Sequence, residues 1–174
     1  MINRAQKKTL REKSVMNYHH AVSFAFIYDI SPKDQGFFFR DIYKQLQSEG
    51  KSVEAIGYFN GNELSADLQV PPATQLCQRK DFSWIIKPRS IFLKGFAAKK
   101  YDILIDLTNA RSYPMKYLAA ISRAKYKVGR QHPDFFKIYD LIIDVDESCS
   151  PAKTSEHIFH YLKILKTPGY DQSV

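Results

Sequence analysis

Acidic and polar side chains stand at the ends of three apolar runs of the chain, where they could bind a ligand or move a proton. The runs are 22–28, 101–107 and 139–145. The side chains at their ends are Asp29, Ser31 and Asp34; Asp106, Thr108, Asn109 and Arg111; and Asp144, Asp146 and Glu147. Converging carboxylate oxygens suit a hard divalent cation, and a carboxylate in a cleft can act as a general base. Asp34 and Asp106 are the candidates for a catalytic base.

A structural interpretation of the same acids is favoured over the catalytic one. Aspartate is common at strand ends because its side chain accepts hydrogen bonds from nearby backbone amides. The first apolar run carries no acidic motif with the spacing of a metal site, although many metal-dependent α/β enzymes place one there. The acids alone therefore do not predict an enzyme.

The sequence also lacks the common motifs of metal and cofactor binding. His157 and His160 share a predicted helix face, but Cys149 and Glu156 do not complete a zinc-site spacing with them. Neither G-x-G-x-x-G nor G-x-x-x-x-G-K-[ST] follows the first apolar run. We therefore expect no metal and no cofactor, and the sequence argues against classical dinucleotide binding and P-loop hydrolysis.

The elements that would position the candidate residues form an α/β pattern. Apolar runs predict strands at 22–28, 53–59, 74–79, 101–107, 126–130 and 139–145, and predicted helices begin at 31, 87, 112 and 150. Continuous apolar runs are typical of parallel strands covered by helices on both faces. We expect a Rossmann-like, doubly wound sheet of about six strands in the order 3-2-1-4-5-6.

This topology brings the candidate residues to one edge of the sheet. In open parallel sheets, ligands bind beyond the carboxyl ends of the strands, where the strand order reverses. That point lies between the strands ending at Asp29 and Asp106. The predicted ligand-binding residues are Asp29, Ser31, Thr108, Asn109, Arg111 and Arg130, of which the two arginines would hold an anionic group.

Length and composition describe a globular protein with a basic start. The chain has 174 residues, of which 44% are hydrophobic and 25% charged, which excludes a disordered chain. No apolar run approaches the roughly 18 residues of a membrane span, and the start lacks the apolar segment of a secretory signal. We expect a cytoplasmic protein with a basic helix or tail over 1–20, one Rossmann-like domain over 21–168 and a tail over 169–174.

Two surface features suggest interactions. The basic residues of the start are Arg4, Lys7, Lys8, Arg11 and Lys13. A solvated helix packed loosely on the body is the favoured interpretation, and contact with an anionic membrane surface or nucleic acid is a less favoured one. Trp84, the one tryptophan, stands among charged residues. It is either a ligand lid or dimer anchor, as exposed aromatics often are, or a plug at the edge of the core.

Part of the chain resembles a known family. The segments 101–107, 111–112, 118–125 and 127–130 read YDILIDL, RS, LAAISRAK and KVGR. This stretch resembles the amino-terminal half of heptosyltransferase-like (family 9) glycosyltransferases, which implies a Rossmann-like acceptor-domain fold. The family's Gly-Asp step, which carries its presumed catalytic acid, is replaced by KDQG at 33–36, and the resemblance does not reach the donor-binding domain.

The whole chain more closely resembles an uncharacterised bacterial family of short α/β proteins, a domain of unknown function, with a basic amino-terminal helix and a Lys-Asp-Phe…Lys-Pro segment at 80–88. Our leading hypothesis is a non-catalytic binding or interaction module, as a homo-oligomer or with a protein partner. The alternative is a ligand-binding or transferase-like enzyme that acts on an anionic, phosphate- or sugar-containing small molecule at the carboxyl edge. There Asp34 or Asp106 would be the base, and Arg111 or Arg130 would bind the anion.

Overall fold

A six-stranded parallel sheet forms the centre of the molecule. The computed structural model describes residues 2–31, 35–61, 67–146 and 148–166. The strands are β1 (Ser23–Ile30), β2 (Ser52–Phe59), β3 (Thr74–Gln78), β4 (Ile103–Asp106), β5 (Tyr126–Arg130) and β6 (Leu141–Ile143). Their order, β3-β2-β1-β4-β5-β6, confirms the predicted topology.

Helices cover both faces of this sheet. They are α1 (Ile2–Lys8), α2 (Phe38–Ser48), α3 (Ile91–Ala98), α4 (Tyr113–Ile121) and α5 (Pro151–Ile164). Alternate residues of β1 point to opposite faces because strand side chains have a period of two. Phe24 and Phe26 join a core formed with α2 and α5, and Ala25 and Ile27 join one formed with α3 and α4. Burial on both faces explains why these strands read as continuous apolar runs.

Two predicted helix starts are wrong, and two are confirmed, since α4 begins at Tyr113, directly after the predicted start at Ser112. Helix α2 begins at Phe38 instead of Ser31, after Gly36 takes the left-handed conformation with φ 74°. Helix α3 begins at Ile91 instead of near 87, because an antiparallel bridge between Phe82 and Pro88 keeps that segment extended. Helix α5 begins as predicted, with the Ser150 side chain accepting a hydrogen bond from the Lys153 amide.

The basic amino-terminal segment is fastened to the amino edge of the sheet. Helix α1 ends at Lys8, and the chain beyond it has no regular structure before a turn at 18–20. The Arg11 guanidinium donates to both carboxylate oxygens of Asp140 at 2.7 Å and to the carbonyls of Ala124 and Lys125. The Lys13 ammonium lies 2.8 Å from the same carboxylate. The expectation of loose packing is therefore wrong at Arg11, which follows α1 and whose side chain is only 12% exposed.

Two similar sequence segments, 101–106 and 139–144, each begin with a tyrosine and an aspartate. These aspartates, Asp102 and Asp140, stabilise the amino edge of the sheet. Asp102 accepts hydrogen bonds from the amides of Val22 and Ser23 and from the Lys125 ammonium. Asp140 holds Arg11 as described. Burial raises the pKa of each carboxyl group, but these donors outweigh burial and leave each pKa below its ordinary value. Both acids are therefore structural residues, far along the strands from the ligand edge.

Candidate functional site

A cleft of about 780 Å³ opens at the carboxyl edge of the sheet, where the strand order reverses between β1 and β4. The structure brings all the predicted ligand-binding residues to this cleft: Asp29, Ser31, Thr108, Asn109, Arg111 and Arg130. Strands β1, β4 and β5 position them because parallel strands end at the same edge. The topology that the sequence predicts is therefore sufficient to assemble this set.

Asp29 organises the loop between β4 and α4. One carboxylate oxygen accepts from the Asn109 amide at 2.7 Å, and the other accepts from the Ser112 hydroxyl. Burial raises the pKa of Asp29 above its ordinary value, and these two hydrogen bonds offset only part of that rise. Asp29 thus caps the loop that starts α4 and also lines the cleft.

Asp106 lies beneath the cleft with 0% exposure. Its carboxylate accepts from the Lys116 ammonium at 3.0 Å, from the Tyr139 hydroxyl, and from the amide and hydroxyl of Thr108. This corrects the expectation that Asp106 could act as a base, because an enclosed carboxylate with these donors cannot approach a ligand. The other candidate base, Asp34, lies outside the described residues.

The Tyr139 ring lies directly against Gly129, and its hydroxyl group reaches the buried Asp106 carboxylate. Gly129 pairs with Asp106 in the β4–β5 register, and a Cβ atom built on Gly129 would lie 2.5 Å from the Tyr139 ring. Burial and the neighbouring Asp106 raise the pKa of the Tyr139 hydroxyl well above its ordinary value, so it stays a proton donor to that carboxylate. Because Gly129 has no side chain, the Tyr139 ring can pack close enough for its hydroxyl group to donate to Asp106.

Gly129→Ala should accordingly destabilise the protein by about 1–3 kcal/mol, because the new methyl group must displace the Tyr139 ring in a packed interior. Urea unfolding measures this loss. Gly95→Ala is the matched control, since nothing lies within 4 Å of its added Cβ, and it should be neutral or slightly stabilising. Equal effects of the two substitutions would contradict the close packing of Tyr139 on Gly129.

The cationic groups of the cleft differ in what they already bind. Among the described residues, the exposed Arg111 guanidinium has no hydrogen-bond or ion-pair partner. Arg130 donates from one terminal nitrogen to the Cys149 carbonyl and the Thr154 hydroxyl, whereas its buried Nε has no partner. Lys116 is directed to Asp106. Arg111 is therefore the cation best placed to meet an incoming anion.

The amino terminus of α4 also faces this cleft. Ser112 precedes the helix, Pro114 lies in its first turn, and both Ser112 and Tyr113 line the cleft. The amides of this first turn are already paired, since Tyr113 donates to the Arg111 carbonyl and Met115 to the Ser112 carbonyl, and Pro114 has no N–H. Arg111, and not the start of the helix, is therefore the group on this wall of the cleft that is best suited to meet an anion.

Several lining residues are absent from the sequence-based set: Tyr58, Asn60, Tyr113, His132, Asp134 and Phe135. Tyr58 is the residue before the last of β2, and His132 follows β5 by two residues. The strand-end rule that selected Asp29 and Asp106 would have found both had it been applied to every strand. Tyr113 and Phe135 carry no polar-motif signal, so only the fold reveals them.

Trp84 stands at the tip of a tight loop beside the cleft and is 88% exposed. It therefore does not plug the core, which removes one of the two alternatives left open by the sequence. The exposed basic residues Arg4 and Lys7 lie on α1, whereas Lys8, whose side chain is outside the described part, closes that helix.

Within the described residues, no three His, Cys, Asp or Glu side chains are grouped as metal ligands would be. No helix in the same part of the chain has the length and apolar character needed to cross a membrane.

Comparison with known proteins places the chain in a family. Residues 1–165 match a family of unknown function, DUF6913. The chain belongs to this family. No curated protein matches it. Membership agrees with the resemblance to an uncharacterised family, and it brings no activity with it.

A solved structure shares the fold. The crystal structure of the glycosyl transferase family 9 from Veillonella parvula DSM 2008 is similar over 89% of this chain, with a TM-score of 0.55 and 13% sequence identity. The similar region covers 44% of that chain, so the present chain spans less than half of the glycosyltransferase's length. At this identity the similarity shows the fold, and it confirms the Rossmann-like architecture.

Proposed function

We propose that this protein is a binding module without catalytic activity of its own, and that it holds an anionic small molecule in the carboxyl-edge cleft. The observation that carries the proposal is Arg111, an exposed guanidinium without a partner in the described part of the chain, beside the start of α4. A guanidinium forms strong, charge-assisted hydrogen bonds with a phosphate or carboxylate group.

The state of the acids supports binding over catalysis. Asp106 is enclosed by its donors, and both carboxylate oxygens of Asp29 accept hydrogen bonds from the loop that they organise. A general base needs a carboxylate that can reach the proton it removes. Neither of these two acids offers one, so the cleft is better suited to hold an anion than to transform it.

Neutral polar groups beside the arginines favour a ligand with hydroxyl groups. The side chains of Ser31, Asn60 and Asn109 line the same cleft and are exposed. Hydroxyl and amide groups of this kind form hydrogen bonds with sugar hydroxyls. The fold shared with a structure described as a family 9 glycosyl transferase agrees with such a ligand. We therefore propose a sugar phosphate as the ligand class.

Arg111→Ala should weaken binding of pyrophosphate and of ribose 5-phosphate at least tenfold, because it removes a charge-assisted hydrogen-bond donor from the cleft. Isothermal titration calorimetry measures the affinities. The free variant should melt at the wild-type temperature, since the Arg111 side chain holds nothing in the described structure.

Lys94→Ala is the control for this experiment. It removes one positive charge from α3 at an exposed position that does not line the cleft, so it should bind like the wild type. If the wild type binds neither ligand, or if both variants bind as it does, the proposed function is wrong. Turnover of a bound sugar phosphate would instead show that the protein is an enzyme.

A further inference from the structure

A second, more apolar pocket of about 680 Å³ adjoins the cleft. The two share six lining residues: Tyr58, Asn60, Arg111, Tyr113, Asp134 and Phe135. Beyond these, the second pocket is lined mainly by Ile2, Trp84, Ile85, Ile86 and Pro114. Arg111 therefore stands at the junction of a polar space and an apolar, aromatic one.

The loop that carries Trp84 is held in a defined shape. The Arg79 guanidinium donates to the carbonyls of Phe82, Ser83 and Trp84. The Ser83 carbonyl accepts from the Ile86 amide at 2.9 Å, which closes a turn around the tryptophan. These bonds fix the backbone of the loop from which the exposed indole projects.

The same turn is strained and exposes apolar surface. Ile86 has φ 56°, a conformation that is rare for a β-branched residue and costs free energy. Trp84, at its tip, leaves a large aromatic ring in water. A strained backbone and an exposed indole at one site are typical of a ligand clamp, and both lie on the wall of the apolar pocket.

Further rings lie between the two spaces. Tyr113, itself half exposed, meets the ring of Phe135 edge-on with centroids 5.7 Å apart. His132 stacks on the same ring at 4.9 Å, and its Nδ1 accepts from the Asp134 amide. The aromatic surface thus runs from the apolar pocket into the cleft, past Arg111.

We infer that the ligand carries a planar aromatic ring as well as its anionic group, as a nucleoside monophosphate does. The ring packs against Trp84 and Tyr113 in the apolar pocket, and the phosphate meets Arg111 in the cleft. This inference rests on the proposed function and extends it, since it states what the sugar phosphate carries at its other end. Trp84 is then a specificity-determining residue that touches the ligand.

The first experiment compares adenosine monophosphate with ribose 5-phosphate, which has the phosphate and the sugar but lacks the ring. Adenosine monophosphate should bind about tenfold more tightly, in the range that base stacking on aromatic side chains provides. It should also quench the intrinsic fluorescence of Trp84. Because the chain has one tryptophan, this signal comes from the loop alone.

The second experiment tests the ring contact by substitution and calorimetry. Trp84→Ala should reduce the affinity for adenosine monophosphate about tenfold and leave that for ribose 5-phosphate unchanged, whereas Trp84→Phe should retain part of the difference. Because the Trp84 side chain is exposed, both variants should fold like the wild type. Ile91→Ala is the matched control, since Ile91 is equally exposed at 88% but lines neither pocket.

The outcomes separate this inference from the proposed function. If ribose 5-phosphate binds through Arg111 but adenosine monophosphate binds no more tightly, the ring subsite is overturned and the proposed function stands. If neither compound binds, both fail. If Trp84→Ala leaves both affinities unchanged but converts a dimer to a monomer in sedimentation velocity, Trp84 is an interface anchor and the inference is overturned.

Discussion

Lys127→Met should stabilise the protein at neutral pH, and its advantage over the wild type should shrink as the pH rises towards 10. Lys127 lies on β5 with 0% exposure, and its ammonium donates to the Ala120 carbonyl at 3.0 Å. Burial, reinforced by the positive charge of Arg11, lowers the pKa of Lys127 to about 7. The folded protein therefore contains a lysine that is poorly accommodated in its charged form.

The direction of this pH dependence follows from the number of protons that the folded and unfolded states bind. In the unfolded chain the Lys127 amine has a pKa of about 10.4, so between pH 7 and 10 the unfolded state binds a proton that the folded state has released. The free energy of unfolding therefore rises with pH over this window. For the pKa shift of Lys127, the free energy of unfolding rises by roughly 3 kcal/mol between pH 7 and 10. Methionine cannot bind a proton, so the Lys127→Met variant lacks this rise. Loss of the hydrogen bond to Ala120 offsets about 1 kcal/mol of the gain at neutral pH.

Urea unfolding of the wild type and Lys127→Met at pH 7 and pH 10 measures this difference. Lys94→Met replaces an exposed lysine and should show the wild-type pH dependence. A constant difference between Lys127→Met and the wild type at both pH values would contradict a buried, neutralised amine.

Asp106→Asn should destabilise the protein by about 3–5 kcal/mol, the usual effect of removing one partner from a buried ion pair. Its carboxylate is the ion-pair partner of Lys116, whose side chain is only 4% exposed. Asparagine preserves the size of the side chain, but it removes the negative charge, and its single oxygen cannot accept from all the donors that surround Asp106. It also weakens the hydrogen bond from Tyr139.

The double variant Asp106→Asn/Lys116→Met distinguishes an ion pair from simple loss of packing. It removes both charges, so it should be more stable than Asp106→Asn alone, and the two substitutions should be strongly non-additive. Urea unfolding of the two single variants, the double variant and the wild type completes the cycle. Additive effects would contradict direct coupling between Asp106 and Lys116.

The sequence was sufficient for the topology because the two central strands are apolar on both faces. The runs of β1 and β4 are typical of covered parallel strands, and right-handed crossovers then favour a doubly wound order. The starts of α2 and α3 could not be predicted in the same way. They depend on a left-handed Gly36 and on the Phe82–Pro88 bridge, and a pairing between distant backbone groups has no local signal.

The candidate site was predictable in its location and less so in its chemistry. Strand ends located Asp29 and Arg111 correctly at the edge where parallel sheets bind ligands. Whether Asp106 faces solvent depends on Lys116 and Tyr139, which lie 10 and 33 residues away in the sequence. Their approach depends on how α4 and β6 pack, so the sequence cannot distinguish a buried ion pair from an available base.

The attachment of Arg11 to Asp140 has a consequence for synthesis on the ribosome. The partners of this arginine lie 113 to 129 residues later in the chain. During translation β1 can pair with β2 early, whereas the segment before it has no place to bind until the codon for Asp140 has been read and that residue has left the exit tunnel. The segment around Arg11 is thus made well before its partners and is secured only after them, and a nascent chain released before that point would leave this segment open to proteases and chaperones.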